Sequence, residues 1–209
     1  MSSRPLRASR LGRVAAAALT VAVVGGVLAG CANDDPLAEQ YRAGDDKGFI
    51  AADGLRIVEI PADERGEPVA FSGELDTGGT VSDTDFDDEV LVVNFWYAAC
   101  GPCRAEAPAL EEAYTSFEGE DVAFLGINTT DSAGTALAFA ETYKITYPSV
   151  LASVTPEVKL AFAEATPISA TPTTLVLDVE GRVAARIIGQ LQDASVLETL
   201  VSDALAESS

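Results

Sequence analysis

Two cysteines, Cys100 and Cys103, stand two residues apart in the stretch WYAACGPCRAEAP, residues 96–108. Such a pair supports three chemistries: half of a metal site, a structural bridge, or a reversible dithiol. A structural zinc site takes four ligands. This chain of 209 residues has no histidine and one other cysteine, Cys31, so the usual ligand types do not complete a metal centre. A structural bridge from Cys100 to Cys103 would close so short a loop that it would remove little chain entropy. A redox dithiol needs its first thiol at a helix N-terminus, where unpaired amides and the helix dipole favour thiolate over thiol. It also needs a second thiol near enough to resolve a mixed disulfide, which position i+3 on the first helical turn provides. The lack of histidine further excludes His-dependent triads and imidazole proton shuttles.

The surrounding elements suit such a switch. EVLVVNFWY, residues 89–97, is a continuous apolar run of strand length, expected to be covered on both faces. Beyond the cysteines Ala107, Leu110, Ala113, Tyr114 and Phe117 recur at helical spacing, so a helix should start near Pro102 and be kinked by Pro108. VAFLGINT reads as a second buried strand, and SAGTALAFAETY as a helix capped by Ser132. TYPSVLA suits a short strand, and TPEVKLAFAE a helix capped by Thr155 with Pro156 in its first turn. TTLVLDVEGRVAARIIG reads as a hairpin turning at Glu180-Gly181. A last helix near 192–206 places Leu197, Leu200, Val201 and Leu205 on one face. Upstream, residues 55–86 show short alternating pieces broken at Arg65-Gly66 and Gly78-Gly79, an extended segment or hairpin at the domain's edge. The order predicts an α/β fold, a central mixed β-sheet flanked by helices.

NFWYAACGPCRAEAP together with ATPTTLVLD resembles the thioredoxin-like superfamily, and within it the membrane-anchored TlpA/ResA/CcmG group of thiol–disulfide oxidoreductases, over roughly residues 67–206. The resemblance implies a redox-active Cys100–Cys103 disulfide with no other cofactor and no metal. It implies a cis Thr171–Pro172 bond beside the dithiol, with the backbone of Thr171 pairing with an extended substrate segment. Gly101 and Pro102, between the cysteines, and Trp96, as a flanking wall, complete the expected substrate-binding set. Glu106 matches an acid of the ResA-like subgroup, and as i+3 from Cys103 it shares that thiol's helix face. Asn94 falls where cytoplasmic thioredoxins carry a buried Asp, and Ala99 where many relatives carry Trp. The implied activity is reduction of partner-protein disulfides, with apocytochrome c among the candidate clients and a CcdA/DsbD-like membrane protein as electron donor. The rivals are a disulfide-forming oxidase of the same fold and a non-catalytic binding lipoprotein.

The first thirty residues have a basic region with Arg4, Arg7, Arg10 and Arg13, then the apolar run Val14 to Leu28. That is a signal-peptide pattern, short for a permanent membrane span of ~20 apolar residues. LAGC, Leu28 to Cys31, resembles the bacterial lipoprotein signal, with Cys31 as the lipid-bearing residue; an ordinary signal peptide or uncleaved anchor is the alternative. The expected organisation is residues 1–30 as lipoprotein signal, 31–54 as a flexible tether, and 55–209 as a thioredoxin-like domain, anchored on the extracytoplasmic face of the cytoplasmic membrane. Removing the four leader arginines leaves nine basic residues against 33 acids, a net charge of −24. Such a surface repels nucleic-acid phosphates.

Overall fold

The computed structural model describes residues 49–50, 55–163, 165–166 and 170–207. The chain divides into two compact units, Met1–Gly44 and Asp45–Ser209, and every described residue belongs to the second. The leader, Cys31 and nearly all of the tether lie outside the described residues.

Among the described residues, nine strands and four α-helices follow in chain order: β1 (Phe49–Ile50), β2 (Arg56–Glu59), β3 (Ser72–Glu74), β4 (Thr80–Ser82), β5 (Val90–Trp96), α1 (Gly101–Ser116), β6 (Val122–Asn128), α2 (Ala133–Tyr143), β7 (Ser149–Leu151), α3 (Glu157–Ala161), β8 (Thr173–Leu177), β9 (Val183–Ile188) and α4 (Ser195–Glu207). Seven strands form one sheet in the order β1-β2-β9-β8-β5-β6-β7, and β3 and β4 pair as a separate hairpin. β5, β6 and β7 run parallel, and β8, β9 and β2 add on antiparallel. The expected mixed sheet flanked by helices is the fold observed. Phe49–Ile50 pairs with Arg56 and Ile57, so the sheet also takes in a dipeptide from the stretch read as a tether.

All seven residues of β5 are buried, as its unbroken apolar run requires of a central strand. Successive side chains on a strand alternate faces. Val90 and Val92 accordingly pack with Leu110, Ala113 and Phe117 of α1 and with Leu197, Leu200 and Val201 of α4. Leu91, Val93 and Phe95 pack on the other face with Val158 of α3, Phe162 and Phe71. Asn94 and Trp96 fall on the α1 face, behind the cysteines.

α3 is shorter than the ten-residue pattern suggests, and Thr155 does not cap it. Its Oγ1 instead accepts the Glu74 N–H at 3.2 Å, tying the β3–β4 hairpin down, and Pro156 occupies the N-cap position. Ser132 holds the α2 N-cap position without a side-chain bond to a helix amide; its Oγ lies 3.2 Å from Thr135 Oγ1. Pro108 sits inside an unbroken α1. No helix among the described residues is long and apolar enough to cross a membrane.

Candidate active site

The parallel strands β5, β6 and β7 all end at one edge of the sheet, and the cysteine pair sits there. Cys100 is the N-cap of α1, with Pro102 in the first turn, as the spacing predicts. Cys100 and Cys103 are joined as a disulfide with Cα atoms 5.2 Å apart. The Cys103 N–H donates to Cys100 Sγ at 3.1 Å, so one of the four amides that a helix start leaves unpaired is aimed at the first sulfur. In the reduced protein the same amide and the helix dipole favour Cys100 as thiolate. Both cysteines are buried, at 4% and 2% exposure, whereas Ala99, Gly101 and Pro102 are exposed around them. Exposed Ala99, Gly101 and Pro102 thus flank the buried Cys100.

The Thr171–Pro172 bond is cis, as the resemblance implies. β8 pairs with β5 in a register that sets Thr173 opposite Phe95. Carried one residue further, that register brings Pro172 level with Trp96 and turns Thr171 toward the loop that holds the cysteines. Pro172 is buried, Thr171 is half-buried, and the Pro172 carbonyl accepts the Gly189 N–H at 3.1 Å.

Trp96, expected as a flanking wall of the substrate site, is 6% exposed. It is buried with Cys100 and Cys103 in one apolar cluster, its ring packs on Phe139 with centroids 4.3 Å apart, and its Nε1 donates to Ser149 Oγ at 3.2 Å. It is a wall behind the dithiol, fixed by α2 and β7.

Glu106 is 1% exposed. Its Oε1 accepts Asn94 Nδ2 at 3.0 Å and its Oε2 accepts the Leu191 N–H at 3.0 Å; Asn94 also donates to Thr174 Oγ1 at 3.0 Å. Burial pushes the carboxyl up from 4.5 to about 7, against the opposite pull of the Leu191 N–H and the Asn94 amide. Asn94 and Cys103 line one cavity of about 10 Å³, single-water size, with Trp96, Tyr147 and Ser149. The cavity thus has Cys103 on its wall together with Asn94, the residue that holds Glu106 Oε1. A larger cavity, about 290 Å³, lies at the far end of β5 between Phe71, Phe86, Leu91 and Leu177, away from the cysteines.

Asn128, which the sequence marks only as a strand-end loop residue, and Asp131, which it does not single out, also border the cysteine loop. Asn128-Thr129-Thr130 fits a glycosylation sequon, yet the Asn128 side chain is fully buried and its Nδ2 donates to Asp131 Oδ2 at 2.8 Å. An Asn at a strand end followed three residues later by Asp was the available signal for a side-chain-built turn. Among the described residues no group of three or more histidine, cysteine or carboxylate side chains is arranged to hold a metal ion.

The family described as AhpC/TSA matches residues 66–186. The thiol-disulfide oxidoreductase ResA of Bacillus subtilis (strain 168) is 25% identical over 126 residues, covering 60% of this chain and 68% of that protein. The thiol:disulfide interchange protein DsbE homolog of Paracoccus denitrificans (strain Pd 1222) is 29% identical over 152 residues, covering 69% of this chain and 80% of its own length. The chain spans about two thirds of the length of the ResA proteins it matches. Among solved structures, a DsbF homologue from Corynebacterium diphtheriae superposes with a TM-score of 0.62 at 28% identity, covering 76% of this chain and 99% of that one. The matched span runs from ahead of β3 into β9 and takes in more than half of the chain, dithiol and cis-proline included. On that match the chain belongs to the AhpC/TSA family, with a thioredoxin-like fold and, by its relatives, as a thiol–disulfide oxidoreductase.

Proposed function

We propose that this protein is anchored through lipid on Cys31 at the extracytoplasmic face of the cytoplasmic membrane, and that it reduces disulfides of partner proteins there. The observation that carries the catalytic part is the Cys103 N–H bond to Cys100 Sγ at the start of α1. Cys100 thiolate attacks one sulfur of the partner's disulfide; that S–S bond breaks, and the other partner sulfur leaves as thiolate. Cys103 then gives up its proton and attacks Cys100 Sγ. The mixed disulfide breaks, the second partner sulfur leaves, and the Cys100–Cys103 disulfide holds the oxidising equivalent. Glu106 acts on the resolving step: its carboxylate takes the Cys103 proton through a single water and returns it when the dithiol is regenerated. The electrons for regeneration come from a CcdA/DsbD-like membrane protein, and apocytochrome c is among the clients.

Direction separates this reading from a disulfide-forming oxidase. Thioredoxin's potential is about −270 mV and that of the strong oxidant DsbA about −120 mV, a gap of roughly 7 kcal/mol. Equilibration of the purified protein against a dithiothreitol or glutathione redox buffer should give a value close to the thioredoxin end. A value near the DsbA end would make the protein an oxidase.

A further inference from the structure

The turn that follows β6 is built by its own side chains and reaches across to the cysteine loop. Asn128 Oδ1 accepts the N–H of Thr130 at 3.2 Å and of Asp131 at 2.7 Å, which closes the turn and aims the Asp131 carboxylate at β5. Asp131 Oδ2 then accepts two bonds, from Asn128 Nδ2 at 2.8 Å and from the Ala98 N–H at 2.6 Å. Ala98 lies two residues before Cys100, inside a turn that the Cys100 N–H closes on the Tyr97 carbonyl at 3.1 Å. Thr129 fastens the residue before that turn, its N–H and Oγ1 both donating to the Trp96 carbonyl, at 2.9 and 3.2 Å. From the other side Ser153 Oγ donates to the Asp131 carbonyl at 2.7 Å. One carboxylate oxygen therefore holds the middle of the loop that delivers the first sulfur to α1.

We propose that Asp131 is a positioning residue for Cys100: by holding the Ala98 N–H it fixes the Tyr97–Cys100 turn, and so keeps Cys100 Sγ at the N-terminus of α1, within reach of the Cys103 N–H. The inference rests on the reading of Cys100 as the attacking thiol, and it is tested on the thiol itself rather than on turnover. Charge alone acts in the opposite sense. A carboxylate beside a thiol disfavours thiolate, so its removal by itself makes the thiol more acidic. Loss of positioning withdraws the amide and the helix dipole and makes the thiol less acidic. The other charged groups around the loop are common to every variant compared. They are Arg104 of α1, whose Nη2 lies 4.0 Å from where a Cβ on Gly101 would stand, Lys159 of α3, 3.5 Å from the Thr129 carbonyl, and buried Glu106.

The experiment is peptide-resolved alkylation of Cys100 by iodoacetamide in the reduced full chain across pH, for wild type, Asp131→Ala and Asp131→Asn. Asp131→Ala should raise the Cys100 pKa by about one unit, seen as an about tenfold slower alkylation below that pKa. Asp131→Asn should show no such rise, only the small fall that loss of the charge brings, because a single amide oxygen can accept both bonds that Oδ2 now accepts. Hydrogen exchange of the Ala98 amide should quicken in Asp131→Ala and stay slow in Asp131→Asn. If Asp131→Ala does not fold, Asp131→Ser, whose hydroxyl is too short to bridge the two loops, should show the same rise. A fall in the Cys100 pKa in both variants, or no change in either, would overturn the proposal. A rise in Asp131→Ala with no partner trapped by Cys100 would leave the positioning intact and remove only the functional reading.

Discussion

A carboxyl group buried between the Asn94 amide and the Leu191 N–H keeps its proton to about pH 7, whereas in an unfolded chain it loses it near 4.5. Between those two values the folded state of the Glu106 group binds more proton than the unfolded state does. Stability therefore falls as pH rises through that window, by up to about 3 kcal/mol, and is level above it. Glu106→Gln escapes this cost. Its Oε1 can accept the Leu191 N–H and its amide can donate to a reversed Asn94, whose oxygen Thr174 can also reach. Urea denaturation should find Glu106→Gln more stable than wild type by about 1–3 kcal/mol at pH 8, with the gain gone at pH 4. The same variant should resolve mixed disulfides more slowly near neutrality, since Cys103 loses its proton acceptor, and should converge with wild type at alkaline pH, where thiolate forms unaided. Superimposable stopped-flow profiles across pH would return Glu106 to a purely structural role. Glu106 was legible through the family resemblance, which its i+3 place on the Cys103 helix face supports. Asp131 and the Leu191 backbone were not, because each reaches the site through register between elements far apart in sequence.

At the scale of elements, the close approach of β6 to β7 fixes Trp96 behind the dithiol. A Cβ on Gly126 would stand 2.2 Å from Ser149 Oγ and 2.8 Å from Trp96 Nε1. Gly126→Ala should therefore break the Trp96–Ser149 bond and force the wall outward, costing about 1–3 kcal/mol by overpacking in chemical denaturation. Unchanged stability with unchanged tryptophan fluorescence would contradict this placement. β5 and β6 were readable because buried strands give nearly unbroken apolar runs, and β8 and β9 because two β-rich runs flank the Glu180-Gly181 turn. α3 was overestimated because the Thr155 hydroxyl, a good cap by local rules, is taken by the Glu74 N–H from the hairpin. Trp96 could be given a face from its position in β5, but not a role: only the packing of α2 and β7 shows that its ring is enclosed.

For the molecule as a whole, one ion cluster ties chain segments together at a distance from the chemistry. Arg65 Nη1 lies 3.0 Å from Asp178 at the β8–β9 turn and 2.6 Å from Glu207 at the end of α4. The Arg65 and Asp178 side chains are 4% and 3% exposed. Burial alone would raise the Asp178 carboxyl, but the Arg182 N–H and the Arg65 and Arg182 guanidiniums outweigh it and hold the group below its usual 3.8. Its contribution is present above that pH and is lost as pH falls through the depressed value. Arg65→Ala leaves buried Asp178 with Arg182 and the Glu180 N–H and should cost about 2–4 kcal/mol at pH 7, with the loss shrinking under strong acid. A ΔΔG below about 0.5 kcal/mol at pH 7 would show the cluster to be incidental. The central claim is that Cys100 attacks partner disulfides and Cys103 resolves them, and trapping tests it most directly. Cys103→Ser and Cys100→Ser forms of the full chain, isolated from cells under acid quench, are compared for mixed disulfides on non-reducing gels and by mass spectrometry. The account predicts that Cys103→Ser carries partner proteins linked through Cys100 and that Cys100→Ser carries almost none; equal trapping of the same partners by both variants, or trapping by neither, would contradict it.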